Sequence, residues 1–231
     1  MTEQNPAPDE PSQARSATEK VFLTITQGIR SGKFVPGQHL LEPDLTQRLG
    51  ISRGSLREAL KHLAAEGIVT LNRYRGAYIC TLDRKSVLDL LDTLEPLATL
   101  AARLAAQKCS TAAQKARMQE ATERVDAANR SGNRARYLDQ RRHFYDTMID
   151  IGGNRELERV IPLSRTDLFR AQVEPIQTDK QRQTHASGYA GIAQAVINQD
   201  ADAAGRAVKW HFNKTRETIA ELSEDAFMES N

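Results

Sequence analysis

The chain has 231 residues, of which 39% are hydrophobic and 27% charged, with a formal net charge of +2. This is the balance of an ordinary globular protein with room for one large or two modest domains. No apolar run reaches the length of a membrane span, and Met1 to Ala14 lacks the basic start and apolar core of a signal peptide. The two cysteines, Cys80 and Cys109, form no C-x-x-C pair, which points to a reducing, cytoplasmic setting without a disulfide framework.

Residues 1–17 are rich in Pro, Gln, Ser and acids, and are expected to form a disordered tail, because they offer too little apolar surface to offset ordering entropy. From Ala17 to Arg30, Val21, Phe22, Ile25 and Ile29 recur at helical spacing, and Ser31-Gly32 stops that helix. Phe34-Val35-Pro36-Gly37 reads as a turn. A short helix is expected from Glu42-Pro43-Asp44, with Leu45 and Leu49 inward and Gly50 ending it. Ser52 is a good N-cap for a second helix, Arg53 to about Ala65, with Leu56, Leu60 and Leu63 inward. Ile68-Val69-Thr70-Leu71 and Ala77-Tyr78-Ile79-Cys80 are short strands, joined as a hairpin through Asn72 to Gly76.

Helix, turn, helix and hairpin is the order of a winged helix-turn-helix, predicted for residues 18–82. That segment holds nine Lys/Arg against five acids, so the positive charge is concentrated there. Arg53, Ser55 and Arg57 lie at the front of the second helix, the end that enters a major groove. Arg53 has the planar fork that reads guanine, and Arg57, one turn on, can hold a phosphate. Ser52 and the free amides of the first turn can also donate to phosphate. Arg75 and Gly76 at the wing tip are placed to approach the adjacent minor groove. Two arginines on a helix would ordinarily be solvated charge; the order of elements around them is what points to DNA.

No strand pattern follows Asp83. Residues 83–228 are rich in Ala, Leu, Arg, Glu and Gln, and are predicted to form an all-helical domain for ligand binding and dimerisation. Six helices are expected, over about 84–107, 111–130, 134–151, 155–172, 180–199 and 201–224. The fold class is therefore mainly α, an N-terminal winged helix-turn-helix with a small β-hairpin followed by a C-terminal all-α bundle. In the third of these helices Tyr137, Leu138, Arg141, Phe144, Tyr145, Met148 and Ile149 form one stripe. Asp139, Arg142, His143, Asp146 and Asp150 form the polar face. An Asp139-x-x-x-His143 metal pair is thus expected to lie on the surface.

The stretches IRSGKFVPGQHL (29–40) and LGISRGSLREAL (49–60), with Glu66-Gly67-Ile68-Val69 and Arg75-Gly76-Ala77, resemble the GntR family of bacterial regulators. Gly54-Ser55 stands where many members have Thr-Pro or Thr-Thr, a difference that bears on the operator read. More loosely, Leu94-Glu95-Pro96-Leu97-Ala98, Gly153-Asn154, Asp200 and His211 resemble the helical FCD effector domain of the FadR subgroup. That resemblance implies a homodimer on a palindromic double-stranded operator, with affinity controlled by a small molecule. Many members hold a divalent metal there through one Asp or Asn and three His. By the family's register Arg141 stands in place of the acid, Tyr145 and Tyr189 in place of two histidines, and His211 alone matches. No metal or other cofactor is therefore expected. Arg141, Tyr145, His185, Tyr189 and His211 are expected to converge on a carboxylate or phosphate ligand, with Arg141 holding the anion.

Three alternatives remain at this point: a metal sensor of the same family retaining a site through His185 and His211, an architectural DNA-binding protein without an effector, and an enzyme. The sequence has no nucleophile elbow, Gly-rich phosphate loop or H-E-x-x-H motif, which argues against the last. No membrane partner is expected.

Overall fold

The computed structural model describes residues 16–227. Of the expected tail only Ser16 and Ala17 are among them; Ser16 caps the first helix and Ala17 begins it, and the remainder lies outside the described residues. Helix α1, Ala17–Arg30, starts at Ser16, whose Oγ accepts from the amide of Glu19 at 3.1 Å. Val21, Ile25 and Ile29 are buried, and the helix packs on α3, Arg53–Ala65, through which Leu56, Leu60 and Leu63 enter the same core. Between them α2, Glu42–Leu49, ends at Gly50 in the left-handed region (φ 61°), a conformation that costs glycine no steric clash.

The wing holds one strand more than a hairpin. β1, His39–Leu40, pairs antiparallel with β3, Gly76–Ile79, which also pairs with β2, Val69–Asn72, giving the order β1-β3-β2. Two residues are too short a run for a period-2 pattern to be read from sequence. His39 stacks on Tyr78 opposite it at 4.7 Å between ring centroids.

The helical half comprises α4 (Arg84–Lys108), α5 (Ala112–Arg130), α6 (Arg134–Gly152), α7 (Glu156–Val160), α8 (Leu163–Val173), α9 (Asp179–Ile197) and α10 (Ala201–Glu221). The single helix expected over 155–172 is two, because Pro162 has no amide hydrogen to continue the ladder. Helix α4 lies against α6, α9 and α10. Its buried row Ala98, Ala101, Ala102, Ala105 and Ala106 lets those neighbours approach closely. Short α8 is buried almost all round and touches α1, so it joins the two halves. Gln172 on α8 adds to the joint: its Oε1 accepts from the Leu82 amide at 2.9 Å and its Nε2 donates to the Leu82 carbonyl at 2.8 Å. Among the described residues no helix is long and apolar enough to cross a membrane.

Candidate nucleic-acid interface and buried chamber

Helix α3 is capped at the end predicted to meet DNA. Ser52 Oγ accepts from the Ser55 amide at 3.0 Å and lies 2.9 Å from Ser55 Oγ. That capping occupies one amide and leaves the exposed Arg53 and Arg57 projecting from the first turns. Arg57 pairs with Glu42 of α2 at 3.3 Å, with 69% of its side chain exposed. An exposed pair of this kind contributes about 0–1 kcal/mol, so a phosphate can replace the carboxylate at little cost. A groove of about 430 Å³ runs between α3 and the wing, lined in part by Arg57, Lys61, Arg73 and Tyr74. At the wing tip Gly76 has φ +87°, and a Cβ there would stand 2.8 Å from His39 Nε2. Tyr74 was not singled out in the sequence, yet it is 88% exposed at the tip, between the exposed Arg73 and Arg75. Ser52, Arg53, Ser55 and Arg57 thus share one helix end, with Arg75 and Gly76 on the neighbouring wing.

The second site is inside the helical half. Arg141 and Tyr145 of α6, Tyr189 of α9 and His211 of α10 line one enclosed chamber, together with Arg170, Thr166 and Thr215 and apolar residues of α4. His185 stands behind this lining, its ring 4.4 Å from His211 and 5.4 Å from Tyr189. Its Nδ1 is taken by the hydroxyl of Tyr137 at 2.7 Å. Gly188 makes room for the His211 ring: a Cβ there would fall 2.2 Å from Nδ1. The chamber is tight, with about 10 Å³ of free space, near the size of one water.

Its electrostatics are unusual. Of thirteen lining residues only Arg141 and Arg170 are ionised, both cations. Arg141 Nη1 donates to Asp167 Oδ1 at 2.9 Å, but Asp167 itself lies outside the lining. Burial opposes the charge on Arg141, yet its pKa is held above the ordinary value, with the Asp167 carboxylate its ionised partner. Arg170 is buried and donates only a 3.3 Å hydrogen bond to Thr215 Oγ1; burial, with Arg141 adding to it, pulls its pKa down. Burial and Arg170 lower His211 to about 3 and His185 well below its usual range, so both are neutral. Burial raises Tyr137, Tyr145 and Tyr189, which keep their protons. Arg141 Nε, Arg170 Nε, His185 Nε2, His211 Nδ1 and Tyr189 Oη have no hydrogen-bond partner, an expensive state for buried polar groups.

Asp139 and His143 are exposed, and Asp139 pairs with Arg30 at 2.7 Å. Among the described residues no group of three or more His, Cys, Asp or Glu is placed to hold a metal ion. His185 and His211 offer two imidazoles beside two guanidinium charges, a donor set that does not suit a divalent cation. Sequence reasoning missed Arg170, Asp167 and Tyr137. Arg170 and Asp167 lie three apart on α8 and carry no sequence signal for burial; Tyr137 lies on the inward stripe, but nothing in the sequence names His185 as its partner.

A winged helix-turn-helix joined to a helical bundle with an enclosed polar chamber defines a transcription regulator of the one-component kind. Residues 17–79 match the model of bacterial regulatory proteins of the gntR family, and residues 87–214 match the FCD domain. The chain belongs to the GntR family of DNA-binding regulators, with an FCD effector domain as its helical half. It is 22% identical over 204 residues to the HTH-type regulator YdhC of Bacillus subtilis, covering 88% of this chain and 91% of that protein. It is 33% identical over 73 residues to the galactonate operon transcriptional repressor of Escherichia coli, about a third of each (31% and 32%). In fold it is similar to E. coli McbR/YncC, with a TM-score of 0.77, 17% identity, and coverage of 90% of this chain and 99% of that one. A GntR regulator from Rhodococcus gives a TM-score of 0.76 at 18% identity, covering 90% of this chain and all (100%) of that one. These relatives and both domains are those of transcription regulators, not enzymes.

Proposed function

We propose that the protein is a homodimeric regulator whose grip on a palindromic operator is set by a small anionic metabolite, bound in the helical chamber without a metal. The observation that carries this is the pair of arginines, Arg141 and Arg170, as the only ionised groups lining the chamber. An isolated buried charge is costly, and a bound anion removes that cost. Two cations with no carboxylate in the lining favour a doubly charged ligand, a dicarboxylate or a phosphate monoester, which the chamber, with about 10 Å³ free, takes in only as its helices move apart. Arg141 supplies a charge-assisted fork to one acidic group, and Arg170 with Thr215 faces the other. His211 and Tyr189 hold spare polar atoms for the ligand's neutral oxygens, and the apolar residues of α4 exclude water.

The same positions explain why a metal is not needed. A metal would hold a carboxylate ligand by charge, and here the guanidinium groups supply that charge directly. A two-fold dimer presents two α3 helices one helical turn of DNA apart, which is why the operator is expected to be palindromic. The deciding experiment is native mass spectrometry of the full chain, with metal analysis of the same sample. A retained acidic molecule that is lost in Arg170→Met supports the reading. One equivalent of Zn, Ni or Mn per chain, or a neutral ligand, overturns it.

A further inference from the structure

We propose that Asp167 is the positioning residue through which the chamber controls the winged domain; the argument rests on the anion reading above. Asp167 is 2% exposed and serves three arginines. Its Oδ1 accepts from Arg141 Nη1 at 2.9 Å, its Oδ2 accepts from Arg142 Nη2 at 2.7 Å, and Arg30 Nη1 lies 3.7 Å from that second oxygen. Arg141 faces the chamber. Arg30 is the last residue of α1 and belongs to the winged domain. One buried carboxylate therefore lies between the chamber and the DNA-binding half.

The geometry leaves the contact to Arg30 open to change. At 3.7 Å it is an ion pair too long for a hydrogen bond, while the bond to Arg141 is fully made. A buried carboxylate that loses the claim of one cation is left undercompensated, which favours closer contact with the cations that remain. An anion on Arg141 neutralises that guanidinium and weakens its claim on Asp167. Asp167 then closes on Arg30 and Arg142. Helix α8 carries the shift, because Thr166 and Arg170 on the same helix line the chamber. The ligand thus acts by tightening the joint between the halves, which is a differential contact of the kind a switch requires. Arg30 is also fixed by Asp139 at 2.7 Å, so the pull on its Nη1 is transmitted to α1 without the side chain swinging free.

The test uses the full chain, spin-labelled at Gln47→Cys on α2 and Ala116→Cys on α5, both exposed positions, in a Cys80→Ser background. Inorganic phosphate at pH 8 is the probe. Interspin distances are measured by dipolar spectroscopy and phosphate affinity by calorimetry. In the parent chain phosphate is expected to narrow the distance distribution. Arg30→Met, outside the chamber lining, is expected to broaden it without phosphate, to abolish the narrowing and, because the coupling is reciprocal, to weaken phosphate binding about fivefold. Asp167→Asn frees Arg141 and is expected to bind phosphate about tenfold more tightly, a gain that a purely structural role does not produce. A distribution in Arg30→Met that matches the parent, with and without phosphate, overturns the coupling. Failure of the parent chain to bind phosphate overturns the anion reading instead, and the phosphate-free width in Arg30→Met then still decides whether the joint exists.

Discussion

Tyr137 Oη and His185 Nδ1 stand 2.7 Å apart in the interior of the helical half. Both groups are neutral at pH 7, since burial raises the phenol and lowers the imidazole. If the phenol donates to Nδ1, the imidazole proton sits on Nε2 and only that group lacks a partner. If Nδ1 donated instead, the phenol hydrogen would be stranded as well. The first arrangement leaves fewer unpaired groups, so Nε2–H is the form we assign. It makes His185 a donor with an unpartnered Nε2–H, its ring packed beside His211 and Tyr189.

Tyr137→Phe tests that assignment. The substitution leaves Nδ1 without its donor at little change in volume, and a stability loss of about 1–2 kcal/mol is expected in urea unfolding. Nitrogen NMR of the parent chain should find the His185 proton on Nε2 alone. In Tyr137→Phe the ring is expected to populate both tautomers. A proton fixed on Nδ1 in the parent would contradict the assignment.

The two buried histidines set an acid limit on stability. Their folded pKa values lie below the ordinary value, so the unfolded chain binds protons that the native chain does not. Stability is therefore whole above about pH 6.5 and falls as pH drops through that value, for His211 until about 3. Each histidine contributes a loss of about 1.4 kcal/mol between pH 7.5 and 5.5. Unfolding free energies of the parent chain and of His211→Gln, obtained from urea titrations at both pH values, should differ in pH slope by about that amount. Equal slopes would mean that His211 is already protonated in the native state.

At the DNA interface the arginines divide the work. Arg57→Ala should weaken binding to every sequence alike and lower the slope of log affinity against log salt by about 1, the signature of one lost phosphate contact. Arg53→Ala should relax preference at one base pair in each half-site. Glu42→Gln removes the partner 3.3 Å from Arg57 and should raise non-specific affinity by a few-fold, roughly. Titrations of labelled DNA in fluorescence anisotropy, at several salt concentrations, distinguish these three. If Arg57→Ala leaves the salt slope unchanged, α3 does not face the phosphates.

The winged half was legible because its signals are local. Ser52 as a cap, Gly50 as a stop and Leu56, Leu60 and Leu63 at helical spacing each dictate structure within one turn. The chamber was legible only in part. Arg141, Tyr145, Tyr189 and His211 fall on inward stripes of long helices, so periodicity and the family register point at them. Helix α8 gives no such stripe, because residues 166–171 are all buried. An Asp and an Arg three apart beside Leu168 and Phe169 look the same in sequence whether they pair on a surface or divide between two partners inside. The Arg30 contact with Asp167 spans most of the chain, and no local pattern encodes it.

Gly188 offers the sharpest test of how the chamber is built. It sits inside α9, where glycine is less favourable than alanine by about 1 kcal/mol, so Gly188→Ala should stabilise the helix itself. A Cβ at that position would fall 2.2 Å from His211 Nδ1 and 3.0 Å from Cγ, a ring buried among Tyr189, His185 and Phe212. Overpacking of this kind costs about 1–3 kcal/mol, and the ring has little free space to retreat into. The clash outweighs the propensity gain, and a net loss of up to about 2 kcal/mol is expected. The displaced ring would also fill what little room the chamber has. Gly188→Ala is therefore expected to keep its helical circular dichroism and its basal DNA binding, unfold at lower urea, and lose retained ligand in native mass spectrometry. Unchanged stability together with retained ligand would mean that His211 does not occupy the space that Gly188 leaves.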